Sequence, residues 1–233
     1  MKSKLWLPAL LAALMAVPLA SMADLMLASA ESFAVLGSTT VTSTGHTVLD
    51  GDLGLSPNLS ITGFPPGIVT NGMIYAGEAV AQQARTDAVA AYLVLSSEAS
   101  SQDLSGQDLG GLTLVSGVRT YTSSAQLTGT LILDAQGDSN ARFDFLIGST
   151  LMTANGASVQ LINGAQAGNV FWQVGSSATF GADTVFFGSI LADQSITLDT
   201  GANLTGRALA LNAAVTLDNN LITLPVAIPE PMQ

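Results

Sequence analysis

Apolar residues alternate with small polar ones over most of this chain, and the alternation comes in short bursts. From Phe33 onward, Val41, Val48, Leu53 and Leu55 are interleaved with Thr, Ser, Asp and Gly, and Gly51 and Gly54 punctuate the run. A period of two over a few residues, ended by glycine, predicts short half-buried strands joined by tight corners. Pro65-Pro66-Gly67 predicts a turn. The segment 75–99 breaks the pattern. Val80, Ala84, Ala88, Ala91 and Leu95 recur there at steps of three and four, no proline intervenes, and the one glycine is Gly77. This spacing predicts an amphipathic helix with Glu78 in its first turn, where the helix dipole favours negative charge. The small residues on its apolar stripe predict close packing on something flat. Residues 96–111 read as a Ser/Asp/Gly linker, and short strands resume at Leu112.

The later strands repeat. Ala178-Thr179-Phe180, Ile196-Thr197-Leu198 and Val215-Thr216-Leu217 place a threonine between apolar neighbours at steps of 18 and 19 residues. Gly188 and Gly206, also 18 apart, occupy equivalent corners. Tyr121–Gly129 aligns with Leu198–Gly206, and Thr42–Val48 aligns with the same segment. A repeat of this length, with three short strands and glycine corners per unit, predicts a mainly β architecture: a triangular β-solenoid. Ile196, Leu198, Val215 and Leu217 then point inward, and their neighbours form an outward grid. One face is expected to hold Ser177, Thr179, Ser195, Thr197, Ala214 and Thr216, extended from other rungs by Thr40, Thr42, Thr70, Thr120 and Thr122. A second is expected to hold Thr184, Phe186, Asn203 and Thr205, with the Phe186 ring interrupting its flatness. The third, from 170–174, 188–192 and 206–210, is apolar in both parities and must be covered. The 75–99 helix is the expected cover.

Composition narrows the chemistry. Charged residues make up 10% of the chain, against about a quarter in ordinary globular domains. The net charge is −11 and cysteine is absent. Thiol catalysis and cysteine-based zinc sites are therefore excluded. The few arginines are scattered, so no basic surface for nucleic acid is expected. His46 lies in a Thr/Gly corner and reads as a surface residue; Arg207 reads as half of a surface pair with Asp199 or Asp218. Asp134, Asp138 and Asp144 lack calcium-loop spacing, and no G-x-S-x-G elbow or phosphate loop occurs. No catalytic residue, metal site or cofactor is expected, and the chain does not read as an enzyme. Lys2 and Lys4 precede an apolar run from Leu5 to Ala20, and both Ser21-Met22-Ala23 and Ala28-Ser29-Ala30 offer small residues at the −3 and −1 positions. Residues 1–30 thus read as a secretory signal peptide cleaved after Ala23 or Ala30, leaving an exported monomer without a membrane span.

Several stretches resemble one known family. They are Phe33-Ala-Val-Leu-Gly-Ser-Thr-Thr-Val-Thr, Gly51-Asp-Leu-Gly-Leu-Ser-Pro, Ile61-Thr-Gly-Phe-Pro-Pro-Gly, Ser124-Ala-Gln-Leu-Thr-Gly-Thr-Leu, Asn163-Gly-Ala-Gln-Ala-Gly-Asn-Val-Phe-Trp-Gln-Val and Gly206-Arg-Ala-Leu-Ala. Together, across about 31–224, they resemble the ice-binding-like domain of microbial antifreeze proteins. Thr44-Gly45-His46-Thr47 and Thr200-Gly201-Ala202-Asn203 fit a corner pattern of that family. The resemblance implies an irregular solenoid flanked by one long helix, with an ice crystal surface as partner and an exposed flat face as the binding site. Threonine is also a common exposed strand residue, so the column alone does not name its ligand. An extracellular adhesion or matrix module, binding glycan or protein, is the alternative. The tail 225–233 contains Pro229-Glu230-Pro231, which resembles the start of a bacterial sorting tag.

Overall fold

The computed structural model describes residues 27–226. The apolar leader and the Pro-Glu-Pro tail lie outside the described residues. A short 3-10 helix, Ala28–Ser32, leads into β1 (Phe33–Gly37), β2 (Thr40–Thr44) and β3 (Val48–Asp50), which form the three sides of one rung. A second rung follows: β4 (Asp52–Leu55), β5 (Ser60–Thr62) and β6 (Ile68–Thr70), then β7 (Ile74–Ala76) and the helix α1 (Ala79–Ser96). The chain resumes with β8 (Gln102–Asp103), β9 (Thr113–Val115), β10 (Gly117–Tyr121), β11 (Ala125–Leu127) and β12 (Thr130–Asp134). Next come β13 (Phe143–Ile147), β14 (Leu151–Thr153), β15 (Ser158–Ile162), β16 (Val170–Val174) and β17 (Ala178–Phe180). The last rungs are built from β18 (Val185–Ala192), β19 (Ile196–Leu198), β20 (Asn203–Ala210), β21 (Val215–Asp218) and β22 (Leu221–Thr223).

Every pairing between these strands is parallel, as a solenoid requires. The first face is a seven-stranded sheet in the order β11-β14-β17-β19-β21-β2-β5. The other two faces are joined, because β18 and β20 each run past a corner and belong to both. Gly188 and Gly206 stand side by side at that corner. A Cβ on Gly206 would lie 1.9 Å from the Gly188 carbonyl oxygen, so only glycine lets the two strands turn together.

Stack order differs from chain order. β1 lies between β20 and β4, β2 between β21 and β5, and β3 between β22 and β6. The first two rungs are therefore seated on the last one, and the chain runs back to the far end before winding toward its start. The helix makes that return. Eighteen residues of α1 span ~27 Å, close to the six inter-strand steps of ~4.8 Å separating β7 from β13.

The helix covers the third face, as its apolar character demands. Ala81, Ala84, Ala88, Ala91 and Leu95 are buried against Phe33, Leu36, Leu146, Phe171, Leu191 and Leu209. Val80, expected on the stripe, is 45% exposed, and Ala81 takes its place. The helix is also shorter than 75–99. Tyr75 and Ala76 extend β7, Gly77 turns the chain at φ 72°, and Glu78 is the N-cap residue rather than part of the first turn. The 96–111 segment is no mere linker: it carries β8, and Leu104 and Leu109 are buried at the end of the core.

Inside the triangle a file of aromatic rings fills the wide part of the core. Phe145 stacks on Trp172 at 3.8 Å, Trp172 meets Phe186 at 4.8 Å, and Phe186 meets Phe180 at 4.7 Å. Trp172 Nε1 donates to the Phe187 carbonyl at 3.0 Å, so its polar atom is satisfied. Phe186 is thus interior, not a surface interruption. Thr184 is interior too, its hydroxyl paired with that of Thr153 at 2.8 Å. The expected parity of this strand was reversed: Val185 and Phe187 point outward. The alignment of Tyr121–Gly129 with Leu198–Gly206 is also displaced by one face. Ala125 pairs with Leu151, which leads through Ala178 to Ile196, not to Ala202.

Candidate functional site

The first face is built by simple alternation. Its inward residues Ala178, Ile196, Val215 and Val41 form one buried row, and Phe180, Leu198 and Leu217 another. Burial on the order of 1.5–3 kcal/mol for each larger side chain fixes which residues point out. The residue between the rows is outward in every rung. In register these are Gln126, Met152, Thr179, Thr197, Thr216, Thr42 and Thr62. Five threonines in succession therefore occupy one column at ~4.8 Å spacing. A second outward row, ~6.6 Å away along the strands, carries Ser177, Ser195, Ala214, Thr40 and Ser60, with Thr40 directly beside Ser60.

The hydroxyls of this column are unengaged. Among the described residues, Thr42, Thr62, Thr179, Thr197 and Thr216 make no side-chain hydrogen bond. Each hydroxyl and methyl is therefore presented to water on a rigid backbone. No charged side chain stands in either row. Asp199 and Asp218 lie at the corner beyond the column, where Thr200 Oγ1 and Asn219 Nδ2 donate to Asp218, and Asp193 lies at the other corner, where Asn212 Nδ2 donates to it. His46 occupies the adjoining corner, its backbone N–H donating to Asn219 Oδ1 at 2.9 Å.

Eight of the eleven residues expected here do lie together: Thr40, Thr42, Ser177, Thr179, Ser195, Thr197, Ala214 and Thr216. The other three lie elsewhere. Thr70 is in β6 on the second face beside Asp50, and its hydroxyl donates to the Leu49 carbonyl. Thr120 is in β10 on the third face, in register with Leu146, and its hydroxyl pairs with Ser100 at 2.8 Å. Thr122 lies beyond the end of β10, its hydroxyl paired with Ser105. Thr120 and Thr122 were expected to extend the face from another rung, but their rung position separates them from the column. Thr62 and Ser60 were missed. The signal was present, since Ser60-Ile61-Thr62 repeats Ser195-Ile196-Thr197 residue for residue.

The second face is rougher. Its outward rows carry Val185, Asn203, Leu221, Val48 and Ile68, then Phe187, Thr205, Thr223 and Asp50. Ile68, Leu221 and Val185 are 51%, 45% and 43% exposed, and Asp50 puts a charge among them. Long branched side chains and a carboxylate give a less level surface than the first face.

Arg207 is not paired with Asp199 or Asp218. It lies under the N-terminal segment, where Nε donates to the Glu31 carbonyl at 2.9 Å and one terminal nitrogen to Ser189 Oγ at 3.1 Å. Asp134 and Asp138 cap turns through the backbone N–H groups of Gln136 and Asn140. Asp144 is buried beneath the end of α1. Arg142 bridges it, at 2.9 Å, to Glu98 at 2.6 Å. Burial raises the Asp144 carboxyl to about 7; Arg142 pulls it down and Glu98 pushes it up. Among the described residues no three potential ligands group to hold a metal, and no helix is long and apolar enough to cross a membrane.

This geometry recurs in known proteins. Residues 35–223 match the family model described as ice-binding-like. An ice-binding protein of Nostoc sp. (strain HG1) is 55% identical over 199 residues, covering 85% of this chain and 73% of that protein. Ice-binding protein 1 of Shewanella frigidimarina is 36% identical over 222 residues, 82% of this chain and 25% of that protein. Among solved structures, an ice-binding protein from an Antarctic biological consortium superposes with a TM-score of 0.84 at 47% identity, covering 87% of this chain and 91% of that one. One from the Antarctic ascomycete Antarctomyces psychrotrophicus gives 0.83 at 40% identity, covering 86% and 98%. With the family match over most of its length and a relative at this identity, the chain belongs to the ice-binding-like family.

Proposed function

We propose that this protein is exported and adsorbs to ice through the first face of its solenoid, so that it lowers the freezing point and inhibits recrystallisation. The observation that carries the assignment of the face is the column Thr179, Thr197, Thr216, Thr42 and Thr62, whose hydroxyls have no partner among the described residues. Methyl groups restrict the orientation of the water over them. Hydroxyls at fixed spacing hold individual waters in place at little further entropic cost. Ice is uncharged, and the two rows are uncharged as well. Parallel strands over a packed core keep the grid from relaxing. The protein acts as a monomer outside the cell, with no cofactor, no nucleic acid and no membrane in its mature form, and carries out no catalysis. A glycan or protein adhesion role lacks support on this face, which offers no aromatic platform and no groove.

The test is ice-recrystallisation inhibition by the wild type and by Thr179→Tyr combined with Thr197→Tyr. Two bulky rings in the middle of the column abolish inhibition, whereas Thr205→Tyr on the second face leaves it intact. Full activity in the double variant removes the first face from consideration, and an inactive wild type removes the function.

A further inference from the structure

The two candidate signal-peptide sites differ in what they would leave behind, and the structure separates them. We propose that processing occurs after Ala23, and that the retained residues 27–30 act as a strap that seats α1 on the third face. This inference rests on the reading that the chain is exported.

Residues 27–30 belong to the folded domain. Leu27 is 3% exposed and Ala30 is fully buried, both in the apolar cluster between α1 and the sheet. Between them Ser29 grips the helix: its backbone N–H donates to Asp87 Oδ2 at 3.1 Å and its hydroxyl donates to the same oxygen. Gln83, one turn earlier, holds the other Asp87 oxygen at 2.9 Å. These bonds also hold the Asp87 carboxyl below its usual value, the Ser29 hydroxyl being the largest cause.

Cleavage after Ala30 would remove Leu27 and Ala30 from this cluster and release Asp87. It would also create an α-ammonium on Glu31, the residue whose carbonyl receives the Arg207 guanidinium. A second cation would then stand in a half-buried site beside the Arg207 guanidinium, competing for the Glu31 carboxylate that already favours the charged guanidinium. Cleavage after Ala23 avoids all three losses and satisfies the same small-residue rule through Ser21 and Ala23.

The full chain is expressed in an exporting bacterial host, and the exported protein is analysed by intact mass and N-terminal sequencing. A mature protein beginning at Asp24 is expected. One beginning at Glu31 overturns the proposal while leaving export standing; retention inside the cell overturns export and the processing proposal together. In the same exported protein, Leu27→Ala lowers the thermal midpoint by about 4–10 °C, and an unchanged midpoint overturns the role of the strap.

Discussion

Replacing Ala88 with leucine tests whether α1 is seated as tightly as its alanine stripe requires. Ala88 is fully buried, and the cluster beneath the helix includes Leu36, Leu209 and Leu191, an in-register ladder that is itself buried. The added isopropyl group has nowhere to go. The ladder cannot sink, because each of its strands is pinned from the inside by Val35, Ala208 and Ile190, all fully buried. Overpacking of this kind costs about 1–3 kcal/mol, and the rigidity of the rungs puts the expectation in the upper half, about 2–3 kcal/mol. For a domain of this size that lowers the thermal midpoint by about 4–12 °C. Ala90→Leu is the control: Ala90 is on the same helix but exposed, so its effect stays within about 0.5 kcal/mol. Both variants are compared by thermal and urea unfolding. Recrystallisation inhibition per folded molecule should be unchanged in each, since the threonine column lies on another side of the triangle. Equal midpoints for the two variants would refute the claim that the helix is seated on the third face.

Asp144 gives a pH prediction. Its carboxyl is raised from 3.8 to about 7 by burial, so the folded state holds its proton more tightly than the unfolded chain does. The stability this provides is complete below about pH 4 and is lost as pH rises toward and through 7. Asp144→Asn mimics the protonated form, so urea midpoints from pH 4.5 to 8 should show the variant gaining on the wild type as pH rises; a constant difference contradicts the reading. Gly206→Ala should cost about 3 kcal/mol or more, because the new Cβ meets the Gly188 carbonyl oxygen and not a side chain that could move. Circular dichroism during urea unfolding checks this, and a midpoint like that of the wild type would contradict the corner geometry.

Much of the architecture was legible because side-chain parity along strands is a strong signal. The late rungs repeat at nearly constant spacing, so Thr179, Thr197 and Thr216 could be placed side by side from sequence alone. The apolar third face announced its cover, and the alanine stripe identified the helix. Parity failed at 184–187, where Thr184-Val185-Phe186-Phe187 offers no clean alternation and the core chose Phe186 to complete the ring stack with Trp172. Position along the stack was harder to read than position around the rung. Thr120 and Thr122 have the right composition but sit on the third face and beyond its edge, a matter of rung phase that irregular repeats conceal. Thr62 was overlooked because the first rungs are separated from the last by the helix and four intervening rungs of chain. Only three-dimensional pairing shows that β5 and β2 continue the same column.

The seating of the first two rungs on the last one changes what truncation means. In most repeat proteins, shortening the chain trims one end of the stack. Here 203–223 lies in the interior of the stack, with the N-terminal rungs on one side and 113–198 on the other. Losing that segment would cut the solenoid in two and divide the threonine column between Thr197 and Thr42. The face proposed to meet ice is therefore completed only when the two distant parts of the chain close on one another. It is a long-range contact that makes folding slow, and a nascent chain cannot possess the intact surface until its final rung has been synthesised.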